Sequence, residues 1–238
     1  DDVAGWQTLL ANLKLMVSAG DRRVPTVDGV LLFGRNPKRF LPQSGIRAIA
    51  YPGNQPDYAT RADQELGGSM VPLFSNAGSP PEDVLVENGL VEQAMDFVAR
   101  NAQPDAKLAR GRRVEKAAFP ESALREAIVN AVAHRHYAVV GAAIMLSIYA
   151  DRIEITSPGR LPNSATVEAI RAGYRYARNQ VLANVMRDFG YVDARGMGIR
   201  QKIIPAMRAH NNTEPDLIAA DHSFTVILRR TEKNEHQA

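Results

Sequence analysis

From Pro120 to His136 the chain reads Pro-Glu-Ser-Ala-Leu-Arg-Glu-Ala-Ile-Val-Asn-Ala-Val-Ala-His-Arg-His. No other stretch constrains the architecture as much. Ala, Val, Ile and Leu fall on nearly every side of a helical wheel, so a helix here must be largely buried. Pro120 suits the first turn, where its missing N–H costs nothing, and the helix is expected to run to about His136. Yet Glu126, Asn130 and His134 stand at i, i+4 and i+8, a polar stripe along one face. Burying a carboxylate and an amide is costly unless both are satisfied. Two reasons compete. The stripe faces solvent or bonds to a neighbouring loop, which is the commoner case for an isolated Glu-x-x-x-Asn. Or it is a metal–nucleotide site, in which Asn offers a neutral oxygen to Mg²⁺ and Glu orients and deprotonates a water for attack on phosphorus.

The rest of the chain frames that helix. With 238 residues, 45% of them hydrophobic, it can bury a sizeable core. Trp6, Leu9, Leu10, Leu13 and Val17 have helical spacing up to Gly20. Val27 to Phe33 is a short apolar run, helix or strand. Ile46 to Tyr51 reads as a strand stopped by Pro52-Gly53, and the Gly-, Pro-, Ser- and Asp-rich stretch Asn54 to Pro81 as a long loop. Leu85 to Ala99 fits a helix. Gly141 to Ala150 and Arg152 to Ser157 form a strand pair about a tight connection. Thr166 to Phe189 is helical with a break near Gly173, Gly198 to His210 is a helix kinked at Pro205, and Ser223 to Arg230 alternates as a closing strand. This order predicts an α+β fold, a two-layer sandwich with helices on one face of a mixed β-sheet. Three parts are expected: a connecting region 1–81 with helix, strand and long loop, a core 82–230, and a polar tail 231–238.

At this point a resemblance becomes specific. Glu126-Ala-Ile-Val-Asn130-Ala-Val-Ala-His134 resembles the N box of the GHKL superfamily (gyrase, histidine kinases, MutL-type proteins), whose ATP-binding domain is the Bergerat fold. Closer still is a divergent branch of RecG-related transcriptional regulators, whose stretch reads like Pro-Glu-x-Ala-Leu-Arg-Glu-Ala-x-x-Asn-Ala-x-x-His-Arg-Asp-Tyr. Pro120 to Tyr137 follows it nearly residue for residue and departs at His136. Ser157-Pro158-Gly159-Arg160-Leu161-Pro162 resembles the first glycine box, with Ser157 where most of the superfamily has an adenine-reading Asp and Arg160 where the branch has a second Gly. Arg195-Gly196-Met197-Gly198-Ile199 resembles the second glycine box. Arg178, Asn179, Leu182 and Ala183 match an Arg-Asn-Pro-Leu-Leu-Ala segment placed like the GHKL lid, with Gln180 as the departure. Asp28-Gly-Val-Leu-Leu-Phe-Gly34-Arg-Asn-Pro37 resembles a block that follows an AlbA-like module in these regulators.

The resemblance implies a site for ATP and Mg²⁺. Asn130 would hold the metal and Glu126 would be the general base. His134, Ser157, Gly159, Arg178, Arg195, Gly196 and Gly198 would meet the nucleotide. It implies an ATP-binding regulatory domain, with slow hydrolysis at most, whose DNA contacts lie in an upstream module and which can pair as a homodimer. The alternative is a degenerate Bergerat fold that binds no nucleotide and serves as a dimerisation or partner-binding module, a reading that Ser157 and Arg160 favour.

Other classes recede. No Gly-x-x-x-x-Gly-Lys-Ser/Thr occurs, so there is no P-loop and no helicase motor of that type. No His-Glu-x-x-His or Gly-x-Ser-x-Gly occurs, and His134 and His136 point to different sides of a helix. Direct nucleic-acid binding through Lys107, Arg110, Arg112, Arg113 and Lys116, with Arg171, Arg175 and Arg178 on one face, ranks last, because the net charge is only +3. The absence of cysteine fits a reducing, cytoplasmic setting, and the longest apolar run, Tyr137 to Ala150, is too short to span a bilayer. The chain opens on Asp1 rather than Met, as a piece of a longer protein would.

Overall fold

The structure, a computed structural model, describes residues 3–75, 84–109, 112–162, 164–174, 176–192 and 198–230. The elements run α1 (Val3–Asn12), β1 (Met16–Ala19), β2 (Arg22–Pro25), α2 (Val27–Phe33), a 3₁₀ turn (Pro37–Arg39), β3 (Ile46–Ala50), β4 (Ala62–Leu66), β5 (Leu73–Ser75) and β6 (Val84–Glu87). They continue as α3 (Leu90–Asn101), β7 (Asp105–Ala109), β8 (Arg112–Lys116), α4 (Glu121–His134), β9 (Ile144–Ile148), β10 (Arg152–Pro158), α5 (Val167–Ala172) and α6 (Gln180–Asp188). A π turn (Ile199–Ile203), α7 (Ile204–Asn211), β11 (Asp216–Ala219) and β12 (Ser223–Arg229) complete the order.

The architecture is α+β. Six strands form a mixed sheet in the order β11-β12-β10-β9-β3-β4. Every neighbouring pair is antiparallel except β3 and β9, which run parallel. The register explains the two layers. Ala48, Leu146, Ile155, Val226 and Leu217 sit side by side across five strands, and all are buried. The neighbouring row, one residue away, is polar or exposed: Arg47 pairs with Asp63 at 2.5 Å, the Thr156 and Thr225 hydroxyls meet at 2.9 Å, and Ile218 is half exposed. Strand side chains alternate with period two, so one face of this sheet is apolar and takes the helices while the other stays polar. Helix α3 lies over β3, β4 and β9, and α4 lies over β10 and packs against α3, α6, α7 and the π turn.

Helix α4 is therefore central to the core, as its composition required. Ala123, Leu124, Ala127, Ile128, Val129, Ala131, Val132 and Ala133 are all buried. Its start differs by one residue from expectation: Pro120 is the N-cap rather than a first-turn residue, and the helix ends at His134. Helix α5 stops where Gly173 takes φ +94 and accepts the left-handed C-cap that residues with a side chain avoid.

Four sequence expectations need correction. The stretch 54–81 is not all loop, because β4 and β5 lie in it, and β4 is an edge strand of the sheet. Its Ala-Asp-Gln-Glu-Leu sequence is mostly exposed, so no apolar alternation marks it. The helix expected from Leu85 begins at Leu90, because Val84–Glu87 pairs with β5. The helix expected to reach Val17 ends at Asn12, where Lys14 at φ +60 turns the chain into the β1–β2 hairpin. Finally, β11 was not anticipated. Strands β3 and β4, from the first 81 residues, hydrogen-bond into the central sheet.

Candidate functional site

A cavity of about 400 Å³ opens between α4, the carboxyl end of β10, the segment between α5 and α6, and the start of the π turn. Seven of the nine residues singled out from sequence line it: Glu126, Asn130, His134, Ser157, Gly159, Arg178 and Gly198. The other two, Arg195 and Gly196, lie outside the described residues. Residues from four separate parts of the chain thus converge on one hollow, with apolar walls from Ile155, Ile170 and Phe224.

The Glu126 carboxylate is buried at 6% exposure and is held on both oxygens. Asn130 Nδ2 donates to Oε1 at 3.2 Å, which turns the amide oxygen away from the carboxylate. Lys202 Nζ meets Oε2 at 3.3 Å. Gly198 passes close over the same carboxylate, where a Cβ would sit 1.7 Å from Oε1. Lys202 was not foreseen. It lies one helical turn past Gly198, and that i+4 spacing was the available signal.

The first-glycine-box segment is set by two tight approaches. Gly159 has φ +110, and a Cβ there would lie 2.4 Å from the His136 Cβ, so both backbone and space require glycine. Ser157 is buried and its Oγ donates to the Ala131 carbonyl at 3.0 Å, tying β10 to α4. That hydroxyl offers lone pairs, not its proton, to anything else in the cavity.

Arg178 donates to the Arg160 carbonyl across the mouth. Partial burial first, and Arg160 second, lower it from the ordinary guanidinium range. Asn179 stands at the N-cap of α6 yet gives its amide to α4, donating to Ala133 O at 3.0 Å and Arg135 O at 2.8 Å. Two of the orphan carbonyls that every helix end leaves are thereby satisfied. The basic face expected from Arg171, Arg175 and Arg178 does not form for the described pair, because Gly173 ends α5 between them. Arg171 turns instead to Glu214 and the Pro215 carbonyl, and Arg175 lies outside the described residues.

His134 is exposed to the cavity, yet protein surrounds it closely enough that desolvation, and then Arg178, lower its pKa from the ordinary imidazole value. The folded state thus binds fewer protons at this ring than the unfolded chain, and stability is lost as pH falls through about 6.5 and below. Urea midpoints at pH 7.5 and 5.5 should fall further apart in the wild type than in His134→Gln.

Arg135 is fully buried beneath this region and pairs with no carboxylate among the described residues. It donates to the His136 and Val139 carbonyls at 2.9 Å each and to the Ala142 carbonyl, and lies 5.1 Å from the Tyr137 ring centroid. Burial lowers it from its ordinary value.

Among the described residues no group of three or more His, Cys, Asp and Glu could cage a metal. Mg²⁺ does not require one, since it commonly takes one or two protein oxygens and completes its shell with phosphates and water. The Asn130 amide oxygen, which the bond to Glu126 leaves turned away from that carboxylate, fits that pattern as a single protein ligand. No helix among the described residues is long and apolar enough to cross a membrane.

Fold and cavity together define an α+β domain with a hollow of about 400 Å³ beside the buried Glu126 and the half-buried Asn130. Residues 141–228, less than half of the chain, match the model of an HATPase-type family described as "Putative ATP-dependent DNA helicase recG C-terminal". They form an ATPase-like segment related to that family. The match begins after α4, so it includes Ser157, Gly159, Arg178 and Gly198 but not the Glu126–Asn130–His134 stripe. Among solved structures, the DIP2311 protein from Corynebacterium diphtheriae is similar, with a TM-score of 0.62 at 22% identity over 94% of this chain. That likeness is one of fold. The chain spans 41% of that protein's length. No curated protein matches the chain.

Proposed function

We propose that the chain carries a GHKL-type domain that binds ATP with Mg²⁺ in the α4 cavity and serves a regulatory role in a longer, DNA-linked protein. The observation that carries this reading is the convergence of Glu126, Asn130, His134, Ser157, Gly159, Arg178 and Gly198 on one hollow. Asn130 would hold the metal, whose charge would offset that of the phosphates. Gly198, with Arg195 and Gly196, would meet the phosphates at the start of a helix, where backbone N–H groups favour anions. Arg178 would add positive charge. Ser157 and Gly159 would border the base. Glu126, one turn before Asn130, would orient a water and take its proton. In this reading 82–230 is the nucleotide-binding core and 1–81 connects it to its parent protein, with DNA contacts made elsewhere and ATP governing association of two copies.

A domain that binds no nucleotide is the second reading. It is favoured by the Ser157 hydroxyl already bonded to Ala131 and by Glu126 already clamped on both oxygens. Hydrolysis separates the roles. Glu126→Ala is expected to retain MgATP binding and to lose phosphate release, at least about 100-fold if proton removal limits the rate. Equal turnover in variant and wild type would remove Glu126 from the chemistry.

A further inference from the structure

The ion pair between Lys202 and Glu126 has no place in the scheme above. A carboxylate 7% exposed needs a partner, and three groups supply its surroundings. The Asn130 amide donates to one oxygen, the Lys202 ammonium meets the other at 3.3 Å, and the Gly198 backbone closes the remaining approach. Lys202 reaches this position from the π turn, whose next residue, Ile203, is fully buried. π turns are rare and recur at functional sites. Lys202 itself is partly exposed, with 38% of its side chain open, so its charge is not forced on the site by lack of room.

We propose that Lys202 is the resident counter-cation of Glu126, a positioning residue that keeps a free divalent ion from the site, so that metal enters together with nucleotide. In the empty site the Glu126–Lys202 pair is neutral and the Asn130 oxygen is a weak ligand alone. A divalent ion arriving by itself meets an ammonium on the nearest carboxylate. An ion arriving on a triphosphate brings its own negative charge, which the ammonium favours instead of opposing. This inference rests on the metal–nucleotide reading of the cavity.

The test is Mn²⁺ uptake by the whole chain without nucleotide, read as loss of the free-ion signal in electron paramagnetic resonance. Wild type and Lys202→Arg are expected to bind weakly. Lys202→Met and the polar, uncharged Lys202→Gln are expected to bind at least about tenfold more tightly, since a unit charge a few ångströms from the ion is removed. The Lys202→Met/Glu126→Gln double variant is expected to return to the wild-type level. Equal uptake by wild type and both uncharged variants would overturn the proposal, as would tight uptake that survives in the double variant. MgATP binding by the wild type, measured separately, reports on the nucleotide reading itself. Its absence beside tight Mn²⁺ uptake by Lys202→Met would sink that reading and keep the cation-exclusion role.

Discussion

Gly198→Ala is expected to destabilise the protein by about 2 kcal/mol, and to be neutral or slightly stabilising once Glu126 is also Ala. Gly198 lies at φ −53 and ψ −46, angles that any residue adopts, so the backbone alone would favour alanine over glycine by roughly 0.5–1 kcal/mol. The obstacle is the Glu126 side chain. A new Cβ would stand 1.7 Å from its Oε1, 2.5 Å from Cδ and 3.0 Å from Cγ. The end of a glutamate can normally swing aside, but this one is buried and held by Asn130 and Lys202. Moving it breaks both bonds. Deleting it removes the conflict, and the sign of the substitution should reverse. Chemical denaturation of the two single variants and the double variant reads this directly. A cost that persists in the Glu126→Ala background would mean that Gly198 is needed for a different reason.

The second large effect belongs to Arg135. Arg135→Ala is expected to cost about 2–5 kcal/mol, as a large buried side chain cut to alanine does, enough to unfold a marginal domain. The guanidinium is fully buried and its two terminal nitrogens donate to the carbonyls of His136, Val139 and Ala142. Its removal takes this donor from the Val139 and Ala142 carbonyls, while the His136 carbonyl keeps the Val139 N–H at 3.0 Å, and opens a hole against Tyr137. Arg135→Lys should recover part of the loss, because an ammonium is a point charge and cannot fork to three acceptors. The effect should extend to the cavity, since the same turn places His136 against Gly159 and presents the Arg135 carbonyl to Asn179. Urea titration gives the stability. A loss below about 1 kcal/mol in Arg135→Ala would show that the turn holds without it.

How far the sequence foretold this depends on what each signal measures. Helix α4 was legible because an apolar helix with a polar stripe has few places to go, and β12 was legible because Phe224, Val226 and Leu228 alternate. The convergence on one cavity was legible through the resemblance, which placed residues from distant segments together. Strand β4 was not, because an edge strand with one solvent face carries Asp63, Gln64 and Glu65 in place of alternation. The apolar period from Trp6 to Val17 was a poor guide, since Trp6, Leu9 and Leu13 are substantially exposed and Val17 belongs to a hairpin. Arg135 was not legible, and Lys202 only through its spacing from Gly198, for a related reason. Lysine and arginine are read as surface residues by default, and only their partners reveal otherwise.

The central claim is that this cavity holds ATP with Mg²⁺ through Asn130. Calorimetric titration of MgATP, and of a non-hydrolysable analogue, into the wild type and Asn130→Ala tests it most directly. The account predicts saturable binding with a Kd in the micromolar range, about −8 kcal/mol, that vanishes in a variant still folded by circular dichroism. No heat from folded wild-type protein, or equal affinity in wild type and variant, would contradict it.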